Sequence, residues 1–170
     1  LDDAEGMYNN WATDPLCNRY LSWNLHKNVE ETKIVISKWV EEYDKGSYNW
    51  IVELKDTNEV IGSISAVHVH KKDFNVEIGY CYGSKYWGNG YMSEAIKQII
   101  KYLFDVLNID LLSAFHIPDN IRSKNVLEKC GFEYEITIEQ GYKRFDGEFF
   151  DSVCYSILKS DYIEKKLQDK

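Results

Sequence analysis

The chain has 170 residues, of which 44% are hydrophobic. This is enough to bury one hydrophobic core, and the length argues against two domains. Its 20 basic and 28 acidic residues give a net charge of −8, which disfavours nucleic acid as a direct partner because phosphate backbones attract basic surfaces. This balance favours a cationic substrate, or it merely keeps the surface solvated. No apolar run approaches the ~18 to 20 residues of a membrane span, so we expect a soluble, cytoplasmic protein without membrane contact.

The spacing of the cysteines and histidines indicates neither a metal site nor a disulfide framework. The four cysteines lie far apart without a Cys-x-x-Cys pair, which predicts reduced thiols: Cys17, Cys81, Cys130 and Cys154. His68 and His70 alternate as His-x-His, but a metal site needs a third ligand and none is evident. We therefore predict a protein without metal.

Two helices are predicted at the N-terminal end of the chain. Residues 2–11 form a short first helix, and Pro15 breaks the pattern after it. Asn28, followed three residues later by Glu31, is a capping pair that begins a second helix. We expect the second helix to bury five apolar residues: Ile34, Ile36, Trp39, Val40 and Tyr43.

Three strands follow, predicted from runs of β-branched and aromatic residues. The first two lie over residues 49–54 and 60–68 and are joined by a polar turn at 56–58. The third lies over residues 75–82 and alternates with period two, which puts Glu77 on one face. The opposite face carries Val76, Ile78, Tyr80 and Tyr82.

A long amphipathic helix follows the third strand. Apolar residues recur at three- and four-residue steps from Tyr91 to Leu107, with polar residues between them. The loop before it has glycines at 83, 88 and 90, and such a strand-to-helix junction leaves unpaired N–H groups that suit an anion. Glycine allows a phosphate to approach the main chain closely.

Three other motifs could contain the glycines of this loop, and the sequence matches each of them only in part. A hairpin turn at Asn89-Gly90 would require alternation after it, whereas the following residues are helix-periodic. A P-loop needs Lys followed by Ser or Thr after its last glycine, where Tyr91 and Met92 stand. A dinucleotide fingerprint matches only in part, through Gly88-x-Gly90-x-x-Ser93.

The last third of the chain predicts the remaining sheet. Residues 110–116 form a strand, and the segment 118–120 leads into a short helix that ends at Cys130-Gly131. Residues 132–140 and 152–158 predict two more strands, which we expect to pair antiparallel.

The segment Trp87-Gly-Asn-Gly90-Tyr-Met92 resembles the acetyl-CoA loop of the GNAT N-acetyltransferases, whose pattern is Arg/Gln-x-x-Gly-x-Gly/Ala. Trp87 and Met92 depart from that pattern. Residues 86–95 match the branch related to the ribosomal-protein N-terminal alanine acetyltransferases, which often reads Tyr-Trp-Gly-x-Gly-Tyr-x-x-Glu-Ala. The resemblance implies an α/β fold with a central mixed, mostly antiparallel sheet flanked by helices. It implies one domain over residues 1–170, with a first β-strand missing before residue 1.

The resemblance also implies acetyl-CoA as the co-substrate. Its binding residues would be Tyr80, Cys81, Tyr82, Trp87, Gly88, Asn89, Gly90, Tyr91, Met92 and Asn120. We expect the central strand to stop pairing near Tyr80 to Tyr82, so that its edge can bind the pantetheine arm and a backbone N–H can reach the thioester oxygen.

A second segment supports the first. Asn120-Ile-Arg-Ser123, followed by Gly131-Phe132, resembles the family's Asn-x-x-Ser/Ala…Gly-Phe segment. Leu127 stands where many members have the Tyr that protonates the leaving thiolate. The alanine-acetyltransferase branch assigns this role to a Ser, so the resemblance implies Ser123 as proton donor, with Asn120 on the same helical face. Alternatively, Asn120 is only an N-cap and Ser123 only an N3 residue.

The candidate bases lie on neighbouring strands. Glu77 is the predicted base, acting through water, or else a solvent-facing strand carboxylate. His116 is an alternative, since imidazole is a common general base, unless its role is structural. Cys81 could act as a nucleophile with His116, although direct transfer fits the resemblance better. In the family, the connection that carries Tyr20 and Trp23 lines the acceptor pocket; the alternative is core packing.

The expected function is transfer of acetyl from acetyl-CoA to a primary amine, with a protein N-terminal amine of the ribosomal-protein alanine type as the first candidate. A small-molecule amine, such as a polyamine, an amino acid or an aminoglycoside, is the alternative acceptor. A non-catalytic CoA-binding sensor is the alternative from another class. The sequence is silent on the oligomeric state, and a homodimer stays open.

Overall fold

Six strands form one sheet in the computed structural model, which describes residues 1–43, 45–70 and 75–168, with the backbone alone at 67–70. The strands are β1 Tyr48–Leu54, β2 Glu59–His70, β3 Asn75–Tyr82, β4 Leu111–His116, β5 Glu133–Lys143 and β6 Phe149–Leu158. They lie in the order β1-β2-β3-β4-β6-β5, and only β3 and β4 pair in parallel. The mixed, mostly antiparallel sheet expected from the sequence is confirmed.

Helices flank the sheet. They are α1 Ala4–Met7, a π-helical turn Tyr8–Ala12, α2 Pro15–Asn18, α3 Val29–Tyr43, a 3₁₀ turn Ser84–Tyr86, α4 Tyr91–Asp105, α5 Ile121–Lys129 and α6 Lys159–Gln168. α6 was not expected from the sequence. None of its residues is fully buried, and Tyr162 packs against the core by stacking on Phe104. Within the described ranges, no helix has the length and apolar content needed to cross a membrane.

Each face of the sheet has its own apolar cluster. Val76 and Ile78 of β3 are buried against α4, where Ile96 and Leu103 are also fully enclosed. The opposite face packs against the N-terminal helices, around Trp11 and other buried residues: Met7, Ile36 and Val60. The alternation of β3 therefore separates two environments, as the period-two pattern predicts.

The expected buried face of α3 is wrong. Of its five predicted core residues, Ile36 is buried and Trp39 is partly buried, whereas three are largely exposed: Ile34 at 55%, Val40 at 57% and Tyr43 at 41%. Residues two apart on a helix do not share a face, so Ile34 and Ile36 cannot both point at the sheet. Thr32, four residues before Ile36, completes the buried stripe instead.

The sheet splits between β3 and β4. These strands pair only over Asn75–Glu77 and Leu111–Ser113, whereas β3 stays paired with β2 as far as Tyr82 and β4 stays paired with β6 as far as His116. The sequence predicts that pairing stops near Tyr80 to Tyr82, whereas the pairing with β4 already ends after Glu77. The result is a wedge whose two sides are each held by another strand.

Asp14 fastens the N-terminal helices to the loop after β3. One carboxylate oxygen accepts hydrogen bonds from the N–H groups of Leu16 and Cys17 at 2.9 and 3.4 Å, and the other accepts from the N–H of Ser84 at 2.7 Å. Burial acts to raise the pKa of Asp14, but these hydrogen bonds outweigh it and lower the pKa. The carboxylate therefore stabilises the fold above the unfolded-state pKa of about 3.9, and this stabilisation is lost as the pH falls through the lower folded-state pKa.

We expect Asp14→Ala to lower the free energy of unfolding by about 1 kcal/mol at neutral pH, because a helix cap and a tertiary hydrogen bond are lost. The matched control is Asp56→Ala in the exposed β1–β2 turn, which should change it by less than about 0.5 kcal/mol. Urea unfolding at pH 7 and near pH 3 measures both. A difference between Asp14→Ala and wild type that does not shrink at the lower pH would contradict this role.

Candidate functional site

The loop before α4 presents unused main-chain donors. Gly88 and Gly90 have φ values of 83° and 81°, the left-handed region that favours glycine, and α4 begins directly after them, so Asn89-Gly90 is no hairpin turn. Across the part of the chain that the structure describes, no N–H of residues 88–92 donates a hydrogen bond. These amides stand at the N-terminus of a 15-residue helix, which is an arrangement suited to an anion.

The polar and aromatic side chains of the loop hold its shape. Trp87 donates from Nε1 to the carbonyl of Tyr82 at 3.0 Å, and Asn89 donates from Nδ2 to the carbonyls of Tyr86 and Trp87 at 3.0 and 3.3 Å. Met92 is fully buried in the core against β3, so its departure from the small residue of the family pattern puts no bulk on the loop surface. Ligand binding at Asn89 and Met92 would thus use the main chain.

Two basic residues of α5 lie beside the loop, and sequence reasoning missed both. The guanidinium carbon of Arg122 stands 4.7 Å from the ring centre of Trp87. Lys129 places Nζ 3.7 Å from the position that a Cβ at residue 90 would occupy. Cationic groups beside free amides suit a diphosphate. No local pattern marks these two residues, because α5 reaches the loop only through tertiary packing.

The start of α5 meets β3 through a pair of hydroxyls. Asn120 caps the helix by accepting from the N–H of Ser123 at 3.2 Å, so the capping alternative describes its local role. Ser123 Oγ lies 2.7 Å from Tyr80 Oη, which is also 3.2 Å from the Ser123 carbonyl. Leu127 is fully buried in the core. The two hydroxyl groups at this place therefore come from Ser123 and Tyr80.

A cavity of about 1040 Å³ joins the two faces of the sheet through the wedge. At one end it reaches Tyr80, Asn120 and Ser123, and at the other the N-terminal helices. Glu77 and Cys81 line it from the face of β3 opposite Tyr80. One space thus brings together most of the predicted catalytic and binding residues.

Aromatic side chains wall the cavity on the side of the N-terminal helices: Tyr20, Trp23, Trp39, Phe115 and Tyr142. Tyr142 donates to the carbonyl of Tyr20 at 3.1 Å, and Tyr20 donates to the carbonyl of Asp119 at 3.4 Å. These bonds fasten the loop after α2 to the β5–β6 hairpin and to the turn before α5. Trp23 both lines the cavity and packs on the N-terminal cluster. Core packing and a position in the cavity wall are therefore compatible for this residue.

The candidate bases occupy different surroundings. Glu77 lines the cavity. The pKa of the Cys154 thiol is raised mainly by burial of the thiol and to a smaller extent by the negative charge of Glu77. His116 is only 5% exposed, with Nδ1 2.8 Å from the carbonyl of Ile117 and its ring beside Tyr155. Nε2 of His116 is buried and has no partner among the residues described. If Nδ1 carries the hydrogen for the carbonyl, Nε2 holds a lone pair.

Cys81 is not arranged as a nucleophile with His116. Its sulfur lies 3.6 Å from Ser63 Oγ, and hydrogen bonding from the thiol of Cys17 lowers the pKa of Cys81 against the opposing effect of burial. Within the described ranges, no hydrogen bond joins it to His116. A nucleophile needs a base within hydrogen-bond reach, so the direct route remains the better interpretation.

The structure describes no metal site. Among the side chains that it covers, no group of three or more His, Cys, Asp or Glu is placed to hold a metal ion. The side chains of His68 and His70 lie outside the described residues. All four cysteines are free thiols.

Comparisons with known proteins point to one family. Residues 1–133 match the acetyltransferase (GNAT) domain. The uncharacterized N-acetyltransferase YoaA of Bacillus subtilis is 31% identical over 158 residues, 92% of this chain and 88% of that protein. The ribosomal protein uS5-alanine N-acetyltransferase of Escherichia coli is 32% identical over 108 residues, 63% of this chain and 55% of that protein. The crystal structure of the spermidine N-acetyltransferase from Vibrio cholerae, in complex with CoA and spermine, is similar with a TM-score of 0.80 at 18% identity, over 95% of this chain and 93% of that chain, a likeness of fold alone.

Proposed function

Because this chain belongs to the GNAT family of acetyltransferases, we propose that it transfers acetyl from acetyl-CoA to the N-terminal amine of a protein, of the ribosomal-protein alanine type. The observation that carries the proposal is the continuous cavity. It connects Trp87 and Arg122, which lie beside the loop that carries the free amides, with the wedge between β3 and β4 and the aromatic wall on the far side. A donor and an acceptor can thus approach the same point from opposite faces of the sheet.

The donor fits the end of the cavity that is lined by α5 and by Trp87. The amides of residues 88–92 would hold the pyrophosphate, with Arg122 and Lys129 as counter-charges. The edge of β3 that is unpaired with β4 beyond Glu77 would bind the pantetheine arm, as an added strand does. The thioester would then lie near Ser123, where its oxygen can accept a backbone hydrogen bond from the wedge.

The acceptor amine must lose a proton before or during attack. At pH 7, keeping an α-amino group of pKa ~7.8 neutral costs ~1 kcal/mol, whereas a lysine-type amine of pKa ~10.4 costs ~4.6 kcal/mol. In this proposal Glu77 accepts the proton through water, and Ser123 donates to the departing sulfur, with Asn120 holding the turn of α5 that carries it. A single carboxylate acting through water suits the α-amine better than a lysine-type amine.

A small cationic amine is the second candidate acceptor. Aromatic faces attract cations, and five aromatic side chains wall the acceptor side of the cavity of a protein with net charge −8. The spermidine enzyme of Vibrio cholerae has this fold. The sequence match to the uS5-alanine enzyme over 108 residues favours the peptide acceptor.

Release of free CoA thiol tests the proposal. We expect a peptide that begins with Ala or Ser to accelerate release from acetyl-CoA by at least about tenfold over the rate without acceptor, because a weak base is sufficient for its α-amine. The same peptide with a blocked N-terminus and an internal lysine is the matched control and should not accelerate it. Faster release with spermidine would establish the small-amine alternative. Tight CoA binding without release by any amine would establish the sensor.

The proposal places the protein in the cytoplasm. Newly made protein N-termini, the proposed acceptors, are found there. A homodimer is compatible with the proposal and remains to be measured. Light scattering of the purified protein at several concentrations measures the oligomeric state.

A further inference from the structure

The hydroxyl of Ser123 has one side-chain hydrogen-bond partner within the described part of the chain, and that partner is Tyr80. Their oxygens lie 2.7 Å apart, a normal length for a bond between hydroxyls. Tyr80 Oη also lies 3.2 Å from the main-chain carbonyl of Ser123. Both residues line the cavity at the side of the wedge that faces α5. The contact therefore sits where the proposed donor sulfur would arrive.

Two arrangements of the hydroxyl hydrogens are compatible with these distances. In the closed arrangement, Ser123 donates to Tyr80 and Tyr80 donates to the Ser123 carbonyl, so neither hydrogen is available to the cavity. In the open arrangement, Tyr80 donates to Ser123 Oγ, and the Ser123 hydrogen is free to point into the cavity. The 2.7 Å contact allows either hydroxyl to donate and the 3.2 Å contact allows Tyr80 to donate to the carbonyl, so the distances fit both arrangements; a sulfur atom that accepts from Ser123 selects the open one.

We propose that Tyr80 is a positioning residue that turns the Ser123 hydroxyl hydrogen toward the sulfur of the bound thioester. The inference rests on the proposed acetyl transfer and names what makes Ser123 a competent donor there. A hydrogen bond accepted by Oγ also strengthens the bond that the same hydroxyl donates. Without the hydroxyl of Tyr80, the Ser123 hydroxyl is free to rotate, because no other described side chain hydrogen-bonds to it.

The chemical step balances as follows. The amine nitrogen forms a bond to the acetyl carbon, the carbon–sulfur bond breaks, and its electron pair goes to sulfur. The proton lost by the amine passes through water to Glu77, and sulfur takes the hydrogen of Ser123. Water returns a hydrogen to Oγ and is itself reprotonated by Glu77, while Tyr80 keeps its own hydrogen. Burial raises the pKa of Tyr80, so its hydroxyl keeps its hydrogen in the resting protein.

The first test is Tyr80→Phe, which removes only the hydroxyl. We expect kcat to fall roughly tenfold while KM for acetyl-CoA changes by less than about threefold, since one hydrogen bond to a developing charge is lost and the ring stays in place. In a Ser123→Ala background the same change should have less than about a twofold further effect. Tyr102→Phe is the control, because its ring packs against Tyr48 and Trp50 and its hydroxyl makes no hydrogen bond to the described residues. The inference would be overturned if the loss of kcat in the double variant equalled the product of the losses in Tyr80→Phe and Ser123→Ala.

A second measurement does not depend on turnover. The thiolate of CoA absorbs ultraviolet light, so the thiol pKa of CoA bound to the whole protein can be titrated directly. Hydrogen bonds to the thiolate lower that pKa, so we expect about one unit below free CoA in the wild type and a return toward the free value in Tyr80→Phe and Ser123→Ala. An unchanged titration in Tyr80→Phe would overturn the inference. If the thiol pKa is lowered in the wild type and returns toward the free value in both variants, but no amine is accepted, the proposed function fails while the role of Tyr80 toward Ser123 stands.

Discussion

Replacing Ser123 by Ala is expected to lower kcat by about 100-fold while leaving the affinity for acetyl-CoA within about threefold of wild type. The hydroxyl would act on the sulfur only as negative charge develops there, so its loss destabilises the transition state and not the bound ground state. The backbone position of Ser123 should survive, since its N–H is held by the Asn120 cap and not by Oγ. Steady-state kinetics with the acceptor found active, together with calorimetric binding of CoA, provide the measurement.

Ser160→Ala is the matched control for this change. Ser160 lies in α6 and is exposed, and among the described residues its hydroxyl bonds only to Asp161, so kcat should stay within about twofold. A Ser123→Ala variant with wild-type kcat would remove the residue from the mechanism. Equal losses in kcat and in CoA affinity would show that Ser123 binds the donor and does not assist the leaving group.

Replacing Gly90 by Ala is expected to weaken CoA binding by about 100-fold, which corresponds to ~3 kcal/mol. A φ of 81° strains a residue with a Cβ by roughly 1 to 2 kcal/mol. The nearest atom to that Cβ in the fold is Lys129 Nζ at 3.7 Å, an ordinary contact, so the protein itself has room for it. The methyl group instead stands before the free amides, where the proposed diphosphate must approach.

Gly147→Ala separates strain from occlusion. Gly147 has a φ of 90° and open space around its Cβ position, at the tip of the β5–β6 hairpin, away from the loop before α4. Both variants should lose similar thermal stability, but Gly147→Ala should bind CoA like wild type. Isothermal calorimetry with thermal unfolding measures the two effects separately. Wild-type CoA affinity in Gly90→Ala would show that the anion is held elsewhere.

Local pattern was sufficient for the elements that frame the candidate site. Period-two alternation over residues 75–82 and helical spacing from Tyr91 onward predicted β3 and α4, and both begin where expected. The glycine spacing predicted a loop between the strand and the helix, and in the structure Gly88 and Gly90 of that loop are left-handed. The family and its sheet are likewise confirmed. Each of these follows from chain-local physics, because backbone dihedrals and side-chain direction repeat with the period of the element.

Contacts between distant segments could not be predicted in this way. The capping spacing did not show which stripe of α3 faces the sheet, and the Asn120–Ser123 spacing did not show that Tyr80, 43 residues earlier, would meet Ser123. Arg122 and Lys129 reach the glycine loop only because α5 packs beside α4. The point at which β3 leaves β4 depends on β2 and β6, which hold the two sides apart.

Residue order alone thus established most of the strands and helices, the glycine loop between β3 and α4, and the family to which the chain is similar. Three-dimensional packing established which hydroxyls, cations and aromatic rings share one cavity. The physical reason is that periodicity reports the direction of a side chain relative to its own element, whereas a site depends on the distances between elements, which no single element encodes.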